Sequence, residues 1–344
     1  MKTPKHLTQA ALAAAIATIA LAPPAAADPV ADFYKGRNVS IIVGFSAGGG
    51  ADLWARFMAR HLGRHIPGKP NVIVQNMPGG SGFRAINHVY AVAPQDGTGI
   101  ILPSVSAPTA KALGRTNVRW DTLEFRWLGN LTRDAQGCMA SGKSGVTSIV
   151  EAKKRLLIVG SDGESNSTAQ HPRLLSHLFD YKIKMVTGYR GTSKVRLAME
   201  GGEVEAVCSI WASSAMGPQR ADVETGKLVP IVQMGTKKHA IFGKAPLVYE
   251  LTQDEESLKL MRFVFGPGEI SRPFAVGPGV PEARVTALRK AFWEAATSPE
   301  LRTDAKKRNL IVDPMGWEET EAALRAALDV SPEVIARARK AMTK

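Results

Sequence analysis

Cysteine and histidine are scarce in this chain of 344 residues, and their scarcity limits the chemistry it can support. The two cysteines, Cys138 and Cys208, have no histidine at zinc-site spacing nearby. His171 and His177 lie on one predicted helix but six positions apart, so they do not share a face as metal ligands at i and i+4 would. The sequence therefore predicts no metal and no cofactor.

The sequence leaves two interpretations of the cysteines open. An exported protein can oxidise Cys138 and Cys208 to a disulfide. Alternatively, Cys208 is a small buried hydrophobe, because it lies in the apolar run 204–210.

Blocks of a single charge and long apolar runs are also missing after the N-terminus. The formal net charge of +13 is spread along the chain without a Lys/Arg block or interleaved aromatic residues, so nucleic-acid binding is not predicted. The excess suits an anionic solute, but the even spread of the charge favours a solvated basic surface as its explanation. After residue 22 no stretch is long and apolar enough to span a bilayer.

The N-terminus has the pattern of a secretory signal. Lys2 and Lys5 precede the apolar segment 7–22, and small residues at 25–27 offer a cleavage site. The interpretation of this segment as a membrane anchor fails on its length and its alanine content. We expect residues 1–27 to be a signal peptide cleaved near Ala27, and the mature chain to be exported.

A glycine-rich loop dominates the first part of the mature chain. Residues 39–43 are a β-branched run typical of a buried strand, and apolar residues at helical spacing follow from Leu53. Gly48, Gly49 and Gly50 thus lie between the end of a strand and the start of a helix. The first N–H groups of a helix have no intrahelical partner and favour an anion. The stretch predicts one wall of an anion pocket, or more simply a tight turn.

The same loop fits the G-x-S-x-G pattern of α/β-hydrolases, with Ser46 as the nucleophile. In that fold the motif follows several strands, whereas almost nothing folded precedes Ser46 in this chain. A secreted serine hydrolase using Ser46 is therefore the alternative, and a non-enzyme is the leading prediction. The loop also lacks the lysine of a nucleotide-binding P-loop.

The rest of the chain alternates predicted strands and helices in two series. In the first series, the strand at 71–77 leads into the glycine loop 79–82, and the strand at 98–103 leads into Ser104. In the second series, polar loops follow predicted strands at 156–160, 184–188, 204–210 and 228–234. Such alternation predicts largely parallel sheets with ligands beyond the carboxyl ends of the strands. Helix capping explains many of the Ser, Thr and Asn residues in these loops equally well.

The end of the chain is predicted to return to the first series. Residues 261–265 and 271–276 read as an extended return segment, followed by helices from Pro281, at 316–328 and at 332–342. We expect these helices to pack on the first domain. The result is two lobes joined by two crossing segments, with a cleft between them.

Five segments of the sequence resemble the Bug (TctC-like) family of periplasmic solute receptors of tripartite tricarboxylate transporters. They are residues 39–52, 75–82, 94–97, 188–191 and 272–281. The resemblance implies a fold like type II periplasmic binding proteins, with two Rossmann-like lobes, lobe I at 28–130 and 265–344 and lobe II at 131–264. It also implies a periplasmic, non-enzymatic, monomeric receptor. Such a receptor holds a small organic carboxylate through backbone amides and delivers it to a two-component permease.

Candidate ligand-binding residues follow from the resemblance together with the strand ends. They are Phe45, Ser46, Ala47, Gly48, Gly49, Gly50, Asp52, Gly79, Gly80, Ser81, Gly82, Ser104, Ser165, Asn166, Ser167, Thr168, Tyr189, Arg190, Gly191, Thr192 and Trp211. The chain departs from the family at Ser46-Ala47, where proline is usual, at Arg190, where lysine is usual, and at Cys208-Ser209, where an aspartate is common. These departures leave the identity of the carboxylate open.

Three candidates carry an alternative role. Arg190 is the one charged residue predicted to reach the cleft, where its guanidinium would bind a second carboxylate in bidentate fashion. Its alternative role is a surface or interlobe ion pair. Trp211 stacks on a ligand ring or belongs to the core. Asp52 accepts a bridging water or only favours the first helical turn.

Overall fold

The structure is a computed structural model that describes residues 28–342. The predicted signal peptide, residues 1–27, and its cleavage site near Ala27 lie outside the described residues. Two five-stranded sheets, each flanked by helices, form two lobes. None of the helices within 28–342 is both long enough and apolar enough to cross a membrane.

The strands and α-helices of residues 28–342 are numbered in chain order. The strands are β1 Asn38–Val43, β2 Asn71–Asn76, β3 Gly99–Leu102, β4 Arg126–Asn130, β5 Gln136–Ser141, β6 Leu157–Ser161, β7 Ile183–Thr187, β8 Ala206–Trp211, β9 Leu228–Met234 and β10 Pro273–Val276. The helices are α1 Pro29–Tyr34, α2 Gly50–Leu62, α3 Phe83–Ala91, α4 Ala107–Ala110, α5 Ser167–Phe179, α6 Thr192–Glu200, α7 Ala212–Met216, α8 Arg220–Glu224, α9 Glu255–Phe265, α10 Glu282–Thr297, α11 Pro299–Lys307, α12 Trp317–Leu328 and α13 Pro332–Met342. Short 3₁₀ helices occur at Gly80–Gly82, Gly142–Ser144, Ile149–Lys153, Ala240–Phe242, Val248–Glu250 and Gly266–Glu269.

The first sheet has the order β2-β1-β3-β10-β4. Strands β1, β2 and β3 run parallel, and β10 lies antiparallel between β3 and β4. Because β10 runs opposite to β3, the residues that begin β10 lie at the edge where β3 ends. The carboxyl ends of the parallel strands and the start of β10 therefore share one edge of the sheet.

The second sheet repeats this arrangement with the order β7-β6-β8-β5-β9. Strands β6, β7 and β8 are parallel, while β5 is antiparallel to β8 and β9. Strand β5 was not predicted, because its residues, Gln-Gly-Cys-Met-Ala-Ser, include no β-branched side chain. All of its residues are nevertheless buried, so pairing on both sides decides its conformation.

Each sheet has apolar cores on its faces. Trp54, Phe57 and Phe292 are fully buried on one face of the first sheet, and Phe83 with Trp127 lies in the cluster on the other. The second sheet is covered in the same way by two separate clusters. The predicted two-lobed α/β fold is thus confirmed, while the residue boundaries proposed for the lobes stay a prediction.

Two expectations about the end of the chain are wrong. Residues 261–265 belong to helix α9 rather than to an extended segment. Asp254 caps this helix by accepting the Ser257 N–H at 2.8 Å. Leu260, Val264 and Phe265 form part of the buried stripe of the helix. Helix α13 packs on α9 and α5 of the second lobe, and not on the first lobe as α11 and α12 do. Besides the two predicted crossing segments, the chain thus passes between the lobes a third time, between α12 and α13.

The two cysteines are joined as a disulfide within the second sheet. Cys138 lies on β5 and Cys208 on the neighbouring β8, and both are buried. The pairing of these strands shifts register between Gly137 and Met139, so the bond lies at a β-bulge. Of the two interpretations left open by the sequence, the structure has the disulfide.

Candidate functional site

A cavity of about 350 Å³ lies where the carboxyl ends of the strands of both sheets meet. Its walls come from the loops after β1, β3, β6, β7 and β8 and from the start of β10. This is the position at which open α/β sheets bind ligands. The volume suits a small solute, because it lies at the lower end of the range of about 300–1,000 Å³ typical of ligand pockets.

The amino end of α2 opens into the cavity from the first lobe. Gly49 is the N-cap and offers no side-chain oxygen to the first turn of the helix. Gly48 has φ of +80°, a left-handed conformation that glycine adopts without strain. The turn before α2 thus leaves amide hydrogens of the first helical turn facing the space between the lobes.

Asp52 maintains the shape of this loop from behind. Its carboxylate accepts hydrogen bonds from the Gly48 N–H at 2.9 Å, from Arg56 Nε at 3.0 Å and from Asn76 Nδ2 at 3.0 Å. Burial raises the pKa of Asp52, but these hydrogen bonds outweigh it and the pKa is lowered. Asp52 does not line the cavity, so its observed contacts are structural.

The amino end of α6 faces the cavity from the second lobe. Gly191, its N-cap, has φ of +108° and again supplies no side-chain cap. Helix α5 begins nearby, but there Asn166 accepts the Ser167 N–H at 2.8 Å and occupies that donor. Two glycine-capped helices, one from each lobe, therefore present free N–H donors to the same space.

Hydroxyl groups form a network on the second-lobe wall. Ser209 Oγ donates to Gln136 Oε1 at 2.5 Å and is 2.7 Å from Ser167 Oγ. Thr168 Oγ1 donates to Asp162 Oδ1 at 2.6 Å. Burial raises the pKa of Asp162 more than the hydrogen bonds from Thr168 and Asn166 lower it.

Arg272 is a cavity residue that the sequence reasoning missed. It immediately precedes β10, is 4% exposed, and donates through Nη1 to the Ser271 carbonyl at 2.7 Å. Its position follows from the antiparallel direction of β10, which brings the start of that strand to the ligand edge. A cation directly before a wholly apolar strand is a signal that could have indicated Arg272. The direction of the strand in the sheet, which decides whether this cation reaches the cavity, could not be predicted from the sequence of the strand.

The prediction that Arg190 is the one charged residue reaching the cleft is therefore wrong. Arg196, Arg272 and Asp162 line the cavity as well. Arg190 is exposed and makes no ion pair within residues 28–342. Three guanidinium groups against one carboxylate give the cavity wall a positive balance, which favours an anionic occupant.

The structure brings many of the predicted site residues together. Those that line the cavity are Phe45, Ser46, Gly48, Gly49, Gly50, Ser104, Asn166, Ser167, Thr168, Arg190, Gly191, Thr192 and Trp211. Those that do not are Ala47, Asp52, Gly79, Gly80, Ser81, Gly82, Ser165 and Tyr189. Whether the lining residues contact a ligand stays a prediction.

The second glycine loop connects the lobes instead of lining the cavity. Ser81 Oγ accepts a hydrogen bond from the Ser165 N–H at 3.3 Å, which joins the loop after β2 to the loop after β6. Gly163 lies so close to Ser81 that a Cβ atom built on the glycine would be 2.5 Å from Ser81 Oγ. Tyr189 turns away from the cavity and donates to Glu203 at 2.6 Å.

Ser46 lies on the cavity wall, whereas His171 is buried away from it. No histidine is among the residues that line the cavity beside Ser46. Within 28–342 no cluster of three or more His, Cys, Asp or Glu residues is placed to hold a metal ion. His171 is buried beside Phe265, and its burial lowers its pKa to about 3.

Two curated proteins are similar in sequence, although no family model matches the chain. A Cupriavidus necator protein described as "UPF0065 protein in gbd 5'region" is 29% identical over an alignment that covers 97% of this chain and 96% of the relative. Protein BugT of Bordetella pertussis is 39% identical, but over 28% of each chain.

Solved structures share the fold across nearly the whole chain. The periplasmic binding protein BugD matches with a TM-score of 0.71 at 19% identity, covering 90% of this chain and 98% of BugD. A Rhodopseudomonas palustris protein with adipate matches at 0.68 and 19% identity, covering 88% and 97%. MatC of the same organism, with bound malate, matches at 0.66 and 19% identity, covering 89% and 99%.

Proposed function

The chain belongs to the Bug family, and from this premise we propose that it is a periplasmic receptor that captures a small organic carboxylate in the interlobe cavity. In this proposal the receptor is monomeric, catalyses no reaction, and delivers its solute to a two-component permease of the tripartite tricarboxylate type. The predicted signal peptide supports export, and the ligand is a mono- or dicarboxylate bound largely through backbone amides.

The observation that carries the proposal is the convergence of two glycine-capped helix N-termini on one cavity. Helix α2 comes from the first lobe and α6 from the second, and neither N-cap has a side chain that consumes the free N–H groups. A carboxylate between them would be neutralised by donors of both lobes. Binding would therefore favour a closed arrangement of the lobes, the form that a permease could recognise.

Two structural neighbours support the class of ligand. One holds malate and the other adipate, both of them small dicarboxylates. A cavity of about 350 Å³ with a positive wall suits molecules of this size and charge. The chain's own departures at Ser46, Ala47 and Arg190 lie among the candidate ligand residues, so its preferred acid need not be either of these two.

The test is isothermal titration calorimetry of the mature protein against mono-, di- and tricarboxylates. We expect at least one acid to bind with a Kd in the micromolar range, and the corresponding uncharged amide to bind far more weakly. The Ser46→Ala variant should bind the same acid. Failure of every organic anion to bind, or ester hydrolysis that depends on Ser46, would contradict the receptor.

Delivery to a permease needs a separate test. The receptor and a candidate permease pair are reconstituted in vesicles, and uptake of the acid identified by calorimetry is measured with and without the receptor. We expect uptake only when all components are present. Receptor-independent uptake at the same rate would remove the delivery step while leaving carboxylate binding intact.

A further inference from the structure

The cavity contains a buried cation whose hydrogen-bonding capacity is only partly used. Arg272 is 4% exposed, and its Nη1 donates to the Ser271 carbonyl. Its Nε and Nη2 have no hydrogen-bond partner among residues 28–342. No carboxylate of these residues forms an ion pair with it either. An unpaired buried charge is costly, so a native protein that keeps one usually has a use for it.

The neighbouring carboxylate does not satisfy this arginine. Asp134 acts on Arg272 at longer range, while its own oxygens accept hydrogen bonds from the backbone N–H and the hydroxyl of Ser213. Burial lowers the pKa of Arg272 to about 10, which still leaves the guanidinium protonated at neutral pH. The free donors therefore belong to a positive charge.

The two free donors point along one edge of the guanidinium. Nε and Nη2 form the side-on fork that matches the two oxygens of a carboxylate. A Cβ built on Gly50, the first residue of α2, would lie 3.9 Å from Nη2 and 3.8 Å from Ser214 Oγ. The fork thus lies beside the free amide hydrogens of α2 and beside a hydroxyl of the second lobe.

Two aromatic rings lie near this group. The guanidinium carbon of Arg272 is 4.4 Å from the ring centroid of Trp211 and 5.7 Å from that of Trp54. Trp211 is half-buried and lines the cavity, whereas Trp54 is fully buried. Cation–π contact with these rings restricts the motion of the guanidinium and so lowers the entropy lost when an anion binds.

We propose that Arg272 is the primary anchor of the ligand, binding one carboxylate group in bidentate fashion through Nε and Nη2 between the amino end of α2 and Trp211. This inference rests on the proposed function and refines it, because it assigns to a buried, charged side chain a role that the proposed function gives largely to backbone amides. The ligand must present a free, planar carboxylate to this edge. Its remaining groups then face the amino end of α6.

Calorimetry on matched arginine variants tests the anchor. For the acid that binds the wild type most tightly, Arg272→Gln should raise the Kd at least 100-fold, and Arg272→Lys about tenfold, because lysine keeps the charge but not the fork. Arg289→Gln is the control: Arg289 is a partly buried arginine outside the cavity, where it pairs with Glu321. This control should leave the Kd within twofold of the wild type.

Thermal stability separates an anchor from a structural arginine. Without ligand, Arg272→Gln should be at least as stable as the wild type, since the change removes an unpaired buried charge, whereas Arg289→Gln should be less stable. The acid should raise the Tm of the wild type and of Arg289→Gln, but not that of Arg272→Gln. A loss of stability in Arg272→Gln together with unchanged affinity would overturn the inference.

A measurement on the unmodified side chain covers the case in which Arg272→Gln does not fold. In protein labelled with ¹⁵N-arginine, and with the signal assigned by its absence from Arg272→Lys, the Nε–H resonance of Arg272 should shift and exchange more slowly when the acid is added. An unchanged resonance at saturating ligand would overturn the anchor. If the wild type binds no carboxylate at all, the proposed function itself fails, and the anchor fails with it.

Discussion

Ser209 shows how a single residue can be held in an unfavourable backbone conformation beside a binding cavity. It is buried on β8, next to the disulfide and the β-bulge, and its φ is +64°. A serine in the left-handed region costs roughly 1 kcal/mol relative to ordinary strand geometry. Its hydroxyl offsets this cost through the contacts with Gln136 and Ser167.

A pair of substitutions measures this strain. Ser209→Ala and Ser209→Gly both remove the hydroxyl contacts, but only glycine adopts positive φ without a steric penalty. We therefore expect Ser209→Gly to be about 1 kcal/mol more stable than Ser209→Ala in urea unfolding, although glycine is normally the poorer residue in a strand. Equal stability, or a more stable alanine variant, would mean that the positive φ is not strained.

At the scale of elements, an ion cluster in the first lobe ties α2 to α11. Asp304 on α11 accepts hydrogen bonds from Arg308 Nε at 2.7 Å and from Arg60 Nη2 at 3.3 Å, and lies 3.2 Å from His61 Nε2. Burial raises its pKa, but the hydrogen bonds from Arg308 and His61 and the neighbouring charges lower it to about 2. Helix α11, which was not predicted, is thus attached to the helix that forms the anion loop.

Replacing Asp304 with asparagine should destabilise the protein by about 1–2 kcal/mol at pH 7, because three cationic or polar partners lose their charge partner. A carboxylate with a lowered pKa contributes its full stabilisation above the ordinary value of 3.8, and the contribution is lost as the pH falls through about 2. The urea curves of wild type and variant should therefore converge at acid pH. Glu300→Gln, on the exposed first turn of the same helix, is the control and should change stability little. If the difference in stability between the wild type and the Asp304→Asn variant stayed constant at every pH, the stabilisation by Asp304 would not be ionic.

The elements also show what the sequence could and could not predict. The strand–glycine–helix unit from β1 to α2 was predicted closely, because period and glycine content are local signals. Strand β5 was missed, because its conformation depends on pairing partners far away in the chain. Part of helix α9 was mistaken for an extended segment. Arg272 was missed for a related reason: its place in the cavity follows from the direction of β10 within the sheet, and no local pattern encodes that direction.

At the scale of the whole molecule, the loops after β2 and β6 meet across the cleft beside the cavity. The Ser165 N–H donates to Ser81 Oγ across the cleft, and Gly163 touches the same serine. Gly163 is not among the residues lining the cavity, so a change there acts on the approach of the lobes and not on the ligand. If the lobes close to bind, apparent affinity depends on how much of the protein can reach the closed state.

A larger residue at position 163 should therefore weaken binding without touching the ligand. Gly163→Val places a branched side chain against Ser81 and should raise the apparent Kd about tenfold or more, if it reduces the closed population to a tenth or less. Small-angle X-ray scattering should show that the ligand compacts the wild type but compacts this variant less.

Gly163→Ala is the matched control, because a single methyl group meets only the rotatable hydroxyl of Ser81. Adding Ser81→Gly to Gly163→Val should restore affinity, since Ser81 already has φ of +59° and glycine removes the obstructing atoms. If the valine variant binds and compacts like the wild type, the loops after β2 and β6 do not control closure.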